Sequence, residues 1–226
     1  MASLSTRALG HELLDGERLD PRELRINLRE MARLNRLPGG TADSVRATIS
    51  LLDGRTDATV LDVGTGSGDF VRRLVRERPL RVLACDLRPE VMAIASRNLA
   101  GLDNVEVIRA DARSLPFDDG AVEVTHASLL LHHLDPPDAV AALREMRRVA
   151  HEGIVINDLR RGRLAFAATA ASVLALSRGR YTRHDGVLSA RRAYSLPELD
   201  RLAASAGLSV AWRSSTIWPR VTTVYR

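Results

Sequence analysis

Three titratable side chains stand where the sequence could support proton transfer. His132 and His133 are adjacent in Leu131-His132-His133-Leu134-Asp135, and Asp158 ends a later apolar run, 26 residues after His132. Histidine suits proton exchange near neutral pH, and a neighbouring carboxylate can orient the ring and stabilise its charged form. The group therefore predicts a base for a substrate hydroxyl. The alternative is that both histidines are structural, closing the loop or packing beneath a ligand.

A glycine-rich turn is the strongest ligand-binding signal in the chain. The apolar run Val60-Leu61-Asp62-Val63 leads into Gly64-Thr65-Gly66-Ser67-Gly68. Alternate glycines after a strand let backbone N–H groups approach a ligand closely. The spacing departs from the Gly-x-Gly-x-x-Gly dinucleotide pattern, because Asp69 takes the place of the third glycine. It favours a nucleoside lying over the turn; a tight turn without a ligand is the alternative.

The elements that would position these residues alternate along the chain. Apolar runs predict strands at 58–63, 81–86, 105–109, 122–127 and 153–158, with helices at 68–78, 89–100 and 136–150 between them. This order predicts an α/β fold whose mostly parallel sheet carries helices on both faces and binds ligands at the carboxyl ends of its strands. The segments 208–214 and 219–225 predict an antiparallel pair, with a turn at Trp218-Pro219, and bring the sheet to seven strands.

The flanking segments predict a single domain with three parts. Residues 1–54 form a helical N-terminal cap, residues 55–160 a ligand-binding core, and residues 161–226 a lid helix and the rest of the α/β domain. The Ala-rich stretch 163–178 is shorter than the roughly 20 residues that span a bilayer. It predicts a mobile lid or pocket helix, with an interfacial membrane contact as the alternative.

The glycine turn is similar to the first motif of the class I S-adenosylmethionine-dependent methyltransferases, strand-[Asp/Glu]-x-Gly-x-Gly-x-Gly, which residues 60–68 match throughout. The resemblance implies a Rossmann-like fold and S-adenosyl-L-methionine as cofactor. It implies that the turn lies beside the methionine part and that Asp86 binds the ribose hydroxyls. The cofactor-binding residues that it implies are Asp62, Gly64, Thr65, Gly66, Gly68, Asp86, Leu87, Asp111, Ala112, His126 and Ala127.

The loop after the fourth strand resembles the corresponding loop of small-molecule O-methyltransferases of the ubiquinone/menaquinone group, which includes enzymes of secondary metabolism. That resemblance implies His132 as catalytic base, Asp158 as its partner and His133 in support, with no metal. It implies methyl transfer to a hydroxyl, above all a phenolic one, of a small molecule. The apolar Leu129-Leu130-Leu131 loop and the Ala-rich stretch favour an apolar acceptor. Tyr181 and His184 are expected in the acceptor pocket or else in a surface loop. The alternatives are C-methylation of a quinol or enolate, nucleic-acid methylation, and cofactor binding without catalysis.

The amino-acid composition limits which of these reactions and partners we expect. All 33 basic residues are arginine, which excludes a P-loop lysine and a Schiff-base lysine, and the net charge is +5. The arginines are spread among 28 acidic residues and aromatic content is 4%, so we expect a small-molecule partner rather than nucleic acid. The lone Cys85 indicates a reducing compartment, and no signal peptide or transmembrane segment is visible. We expect a cytoplasmic protein, with a homodimer as an open expectation.

Overall fold

The computed structural model describes residues 4–214 and 218–226 and contains one seven-stranded sheet in the order β3-β2-β1-β4-β5-β7-β6. Strands β1 to β5 pair in parallel, whereas β7 pairs antiparallel with both β5 and β6. The predicted Rossmann-like fold is therefore confirmed. The strands are β1 Thr59–Val63, β2 Arg81–Asp86, β3 Val105–Arg109, β4 Val122–Ser128, β5 Ala150–Leu159, β6 Val210–Arg213 and β7 Arg220–Tyr225.

Eight α-helices accompany the sheet in the described ranges, together with short 3-10 helices at Leu13–Asp15 and Leu131–His133. The α-helices are α1 Pro21–Leu34, α2 Thr41–Leu51, α3 Asp69–Glu77, α4 Pro89–Leu99, α5 Pro136–Val149, α6 Arg163–Leu176, α7 Arg180–Arg192 and α8 Leu196–Ser205. None of these helices is both long and apolar enough to cross a bilayer.

The side chains of each strand point alternately to the two faces of the sheet, which gives each face its own hydrophobic core. In β1, Val60 packs with the cluster under α2, α3 and α4, whereas Leu61 packs with the cluster under α5 and α8. Successive strand residues point to opposite faces, so a strand covered on both sides is apolar throughout. The strand ends are thereby held at fixed heights, which brings the loops after β1, β2, β4 and β5 to one edge.

Local signals set the helix starts. Asp20 accepts hydrogen bonds from the Arg22 and Glu23 backbone N–H groups, with Pro21 at the first helical position. Ser195 and Glu198 form the capping box of α8. These contacts fix the residues at which α1 and α8 begin.

The structure adds a helix that the sequence analysis left unassigned. Residues 180–192 form α7, which packs on α1 and α6, and these three helices cover the carboxyl edge of the sheet. The segment has little apolar periodicity, because its inward residues include Thr182, Asp185 and Ser189. It is held by polar contacts rather than by an apolar stripe, so the hydrophobic pattern does not show it.

Candidate active site

The glycine turn joins β1 to α3 with a backbone that favours glycine. Gly64 and Gly66 have φ values of 73° and 56°, which strain residues with a Cβ. The backbone N–H groups of Gly64 and Thr65 both donate to Cys85 O, and that of Gly66 donates to Asp86 Oδ2 at 3.2 Å. At Gly66 an added Cβ would meet only a Leu28 methyl, at 4.0 Å, so a side chain there would occupy the space above the turn.

That space belongs to a cavity of about 560 Å³ between the sheet edge and the helices α1, α6 and α7. Apolar side chains of α1, among them Leu24, Leu28 and Met31, form much of its wall. Ten of the residues predicted for the site line it: Asp62, Gly64, Thr65, Gly66, Asp86, Leu87, Asp111, Ala112, His132 and His133. The predicted cofactor and acceptor residues therefore meet in one cavity.

Four predicted residues lie behind this lining. The prediction assigned Gly68, His126 and Ala127 to cofactor binding. In the structure Gly68 faces Leu99 and Ala127 is buried in the core. His126 is fully enclosed and stacks on Phe70 with ring centroids 3.6 Å apart. Asp158 is also outside the lining and reaches the cavity only through His132. These four residues lie behind the residues that line the cavity and support them.

The first supporting contact is a buried pair at the ends of β1 and β4. His126 Nδ1 lies 2.7 Å from Asp62 Oδ1, and Thr65 Oγ1 donates to Asp62 Oδ2 at 2.7 Å. Asp62 lines the cavity, whereas its histidine does not. The imidazole therefore fixes a carboxylate that faces the cavity.

In the second pair the histidine lines the cavity and the aspartate does not. His132 Nδ1 lies 2.6 Å from Asp158 Oδ1, and the backbone N–H groups of Leu131 and His132 donate to Asp158 Oδ2. Burial raises the pKa of Asp158, but the neighbouring His132 and the hydrogen bonds outweigh it and leave that pKa below its usual range. Asp158 is therefore a carboxylate that accepts a hydrogen bond from the His132 Nδ1–H, and Nε2 is left as the acceptor nitrogen of a ring that lines the cavity.

The pKa values of the other two carboxylates near the strand ends shift in opposite directions. Burial raises the pKa of Asp86, although backbone N–H groups of Arg88 and Gly66 donate to its two oxygens. Asp111 is instead clamped by the Arg113 guanidinium, which lowers the pKa of Asp111. Leu87 lines the cavity beside Asp86 and is 48% exposed, a large apolar surface for a bound ring to cover.

The sequence analysis missed the N-terminal strap (residues 7–16), which closes one side of the cavity. Asp185 of α7 accepts hydrogen bonds from the Leu13 and Leu14 N–H groups, and Arg88 donates to Leu14 O. Arg7 donates to His132 O and Leu134 O. The strap lacks apolar periodicity, and its long-range partners lie 72 to 185 residues away in sequence, so no local signal identifies it.

The strap brings a buried acid to the two histidines. Burial raises the pKa of Glu12, and Glu12 Oε1 has no hydrogen-bond partner among the described residues. Glu12, His132 and His133, the Glu12 cluster, offer ligand atoms within 4.8 Å of one another. His133 Nδ1 lies 3.1 Å from Asp15 Oδ1. The expectation that the reaction needs no metal stays a prediction.

Two further residues of the acceptor prediction lie outside the lining. The Tyr181 hydroxyl accepts from the Asp20 N–H and is buried, and the half-exposed His184 side chain lies 2.8 Å from Asp185. Their α7 neighbours Asp185, Gly186 and Ser189 line the cavity instead. Thr169, Ser172 and Val173 of α6 also line it, so the Ala-rich segment forms part of the pocket wall.

The sequence is similar to that of known methyltransferases. Residues 60–153 match the family model described as a methyltransferase domain. A demethylmenaquinone methyltransferase of Chlorobaculum tepidum is 30% identical over 102 residues, covering 45% of this chain and 40% of that protein. An uncharacterised 37.1 kDa protein in transposon TN4556 of Streptomyces fradiae is 30% identical over 210 residues, 87% of this chain and 56% of that protein. The chain thus spans between two fifths and three fifths of these relatives.

A solved structure extends the likeness to the whole fold. A SAM-dependent methyltransferase from Aquifex aeolicus superposes with a TM-score of 0.63 at 22% identity, covering 92% of this chain and 98% of that one. The predicted resemblance to the class I methyltransferases is confirmed, and with it the cofactor that this family implies.

Proposed function

From the class I S-adenosylmethionine-dependent methyltransferase domain that this chain contains, we propose that the protein transfers a methyl group to a hydroxyl of a small, largely apolar acceptor. The observation that carries the proposal is the Asp158–His132 pair, whose imidazole faces the cavity beside the glycine turn. When bound, S-adenosylmethionine supplies an electrophilic methyl group on a sulfonium. The residues of the chain then need to hold it, align the acceptor and remove the hydroxyl proton.

The cofactor side of the cavity fits an adenosyl group. Asp86 is a partly buried carboxylate at the end of β2, placed to accept from both ribose hydroxyls, and Leu87 offers apolar surface for the adenine. Gly66 leaves room above the turn, and Asp62 would accept from the cofactor's amino group while His126 fixes its orientation. Asp111 would accept from the adenine amino group in competition with Arg113, which bonds both of its oxygens, and Ala112 would supply a backbone N–H to the adenine ring.

The acceptor side supports a base. With Nδ1–H directed at Asp158, His132 Nε2 would take the hydroxyl proton, and the Asp158 carboxylate would stabilise the resulting imidazolium. Asp158 is the positioning residue in this scheme because it does not reach the acceptor. His133, held by Asp15, would assist by hydrogen bonding. The leucines of α1 and the α6 wall favour an apolar acceptor.

A second candidate is C-methylation of a quinol or enolate. The observation that favours it is the likeness to the demethylmenaquinone methyltransferase. An electron-rich carbon loses its proton after the methyl group has been attached, so this reaction depends less on His132. A small-molecule partner, the absence of a nucleic-acid partner, a cytoplasmic location and a homodimer remain predictions.

Product analysis tests the proposal. The purified chain is incubated with methyl-labelled S-adenosylmethionine and a panel of 2-naphthol, catechol and a demethylated naphthoquinol, and the products are identified as ethers or ring-methylated compounds. We expect ethers, a loss of about 10²- to 10⁴-fold in rate for His132→Gln, and unchanged S-adenosylhomocysteine affinity. His151→Gln, outside the cavity, is the matched control. Ring methylation that His132→Gln leaves intact would replace the proposal with the second candidate.

A further inference from the structure

Arg220, the first residue of β7, has a buried side chain that lines the cavity. Its Nε donates to Asn157 Oδ1 at 2.8 Å, one terminal nitrogen donates to Ser128 Oγ at 2.8 Å, and the other donates to Asn35 Oδ1. All three acceptors are neutral. A guanidinium has five N–H donors, so two remain without a described partner.

The absence of a counter-ion sets Arg220 apart from comparable residues. Three arginines are buried within the described ranges: Arg161, Arg192 and Arg220. Arg161 pairs with Glu198 at 2.7 Å and Arg192 pairs with Asp15 at 2.6 Å, whereas no carboxylate of a described residue lies within 4.0 Å of the Arg220 guanidinium. A buried charge is costly unless it is paired.

The surroundings hold the guanidinium in place but do not neutralise it. Asn157 Nδ2 donates to Gly39 O and Thr222 Oγ1, and Asn35 Nδ2 donates to Asp69 Oδ2. These bonds fix both amides with their oxygens toward Arg220. Burial lowers the pKa of Arg220 to about 10, opposed by the carboxylates of Asp158, Asp69 and Asp43, none of which is in contact with the guanidinium, so the group is still a cation at neutral pH.

We propose that Arg220 binds a carboxylate inside this cavity, either that of the cofactor's amino-acid part or one carried by the acceptor. The fixed planar fork of arginine matches the two oxygens of a carboxylate, and a bound anion would supply the missing counter-charge. Ser128 ends β4, next to β1 in the sheet, and Asn35 also bonds Asp69, the residue that follows the glycine turn, so the guanidinium is near that turn. Both sources are within the space that the proposed function assigns to cofactor and acceptor, and the inference rests on that function.

Calorimetry on the full chain separates the sources. Affinities are measured for S-adenosylhomocysteine and its decarboxylated analogue, and then for 2-naphthol and 3-hydroxy-2-naphthoate on the S-adenosylhomocysteine complex. A charge-assisted contact predicts a preference of about 10- to 150-fold for the carboxylated member of one pair. This comparison uses the unchanged protein and does not depend on whether a variant folds.

Variants assign the preference to the residue. Arg220→Gln is expected to abolish the preference and Arg220→Lys to restore part of it. Arg213→Gln removes an arginine of the neighbouring strand β6 that pairs with Asp200 of α8; this variant is the control and should retain the preference. Equal affinity within both ligand pairs, or a preference that survives in Arg220→Gln, would overturn the inference.

The same measurements separate this inference from the proposed function. No detectable S-adenosylhomocysteine binding by the unchanged protein would contradict the proposed function. The naphthol pair is then measured on the free protein, where a preference for the carboxylate that requires Arg220 still supports the inference and its absence overturns it.

Discussion

Replacing Asp158 by Asn tests the acceptor side of the cavity most directly. Asp158 Oδ1 faces His132 Nδ1 and the Leu159 N–H, and Oδ2 faces the N–H groups of Leu131 and His132. An asparagine amide must direct its NH₂ at one of these two sets of donors. Losing a buried hydrogen bond to a charged group costs about 1.5–3 kcal/mol. With a melting-temperature change of about 2–4 °C per kcal/mol, we expect the melting temperature to fall by roughly 3–12 °C.

The effect on the reaction follows from the proton on the ring. If the amide introduced by Asp158→Asn donates to His132 Nδ1, the ring proton moves to Nε2, and the nitrogen that faces the cavity can no longer take a proton. The general-base contribution is then lost, and we expect the rate to fall by about 10²- to 10⁴-fold. S-adenosylhomocysteine affinity should stay within about threefold, because Asp158 does not line the cavity.

The matched control is Asp62→Asn, which alters the other buried aspartate–histidine pair. Asp62 itself lines the cavity, so this variant should lose cofactor affinity by about tenfold or more. Rates are measured with the best acceptor of the panel, at a temperature where both variants are folded, and affinities by calorimetry. An Asp158→Asn protein that retains more than a tenth of the rate, or loses cofactor affinity as Asp62→Asn does, would refute the assignment of the two pairs.

Three further predictions concern acid stability, the strap and metal ions. Because the pKa of Asp158 is lowered on folding, the stabilisation by its carboxylate is present above the unfolded value of about 3.9 and is lost as the pH falls through the folded value. Urea unfolding at pH 6 and pH 3 should therefore show a smaller loss of unfolding free energy for Asp158→Asn than for the unchanged protein. Equal losses of unfolding free energy would be inconsistent with this. Asp185→Asn should speed hydrogen exchange of the Leu13 and Leu14 amides by at least tenfold, measured by mass spectrometry, and unaltered exchange would argue against the strap contacts. Dialysis against EDTA should leave the methylation rate within twofold, whereas a loss that Mn²⁺ or Zn²⁺ restores would place a cation at the Glu12 cluster.

The sequence predicted the parts of the fold that depend on local pattern. Buried parallel strands are continuous apolar runs, and the turn after β1 needs glycine, so the sheet and the glycine turn were recognisable. Asp86 was recognisable because an acid at a strand end has a fixed height in a parallel sheet. Glu12, Asp185 and Arg220 were not, because their roles come from contacts with residues far away in the chain.

The two aspartate–histidine pairs show most clearly where sequence reasoning stops. Asp62 and Asp158 both lie in strands near the carboxyl edge, and both partner histidines come from β4 or the loop after it. Nothing in this spacing says which member of each pair faces the cavity. Packing decides it: Phe70 covers His126 and leaves Asp62 facing the cavity, whereas the 3-10 turn Leu131–His133 wraps its N–H groups around Asp158 and turns His132 outward. One chemical pair can therefore present a carboxylate to the cavity at one strand end and an imidazole at the next.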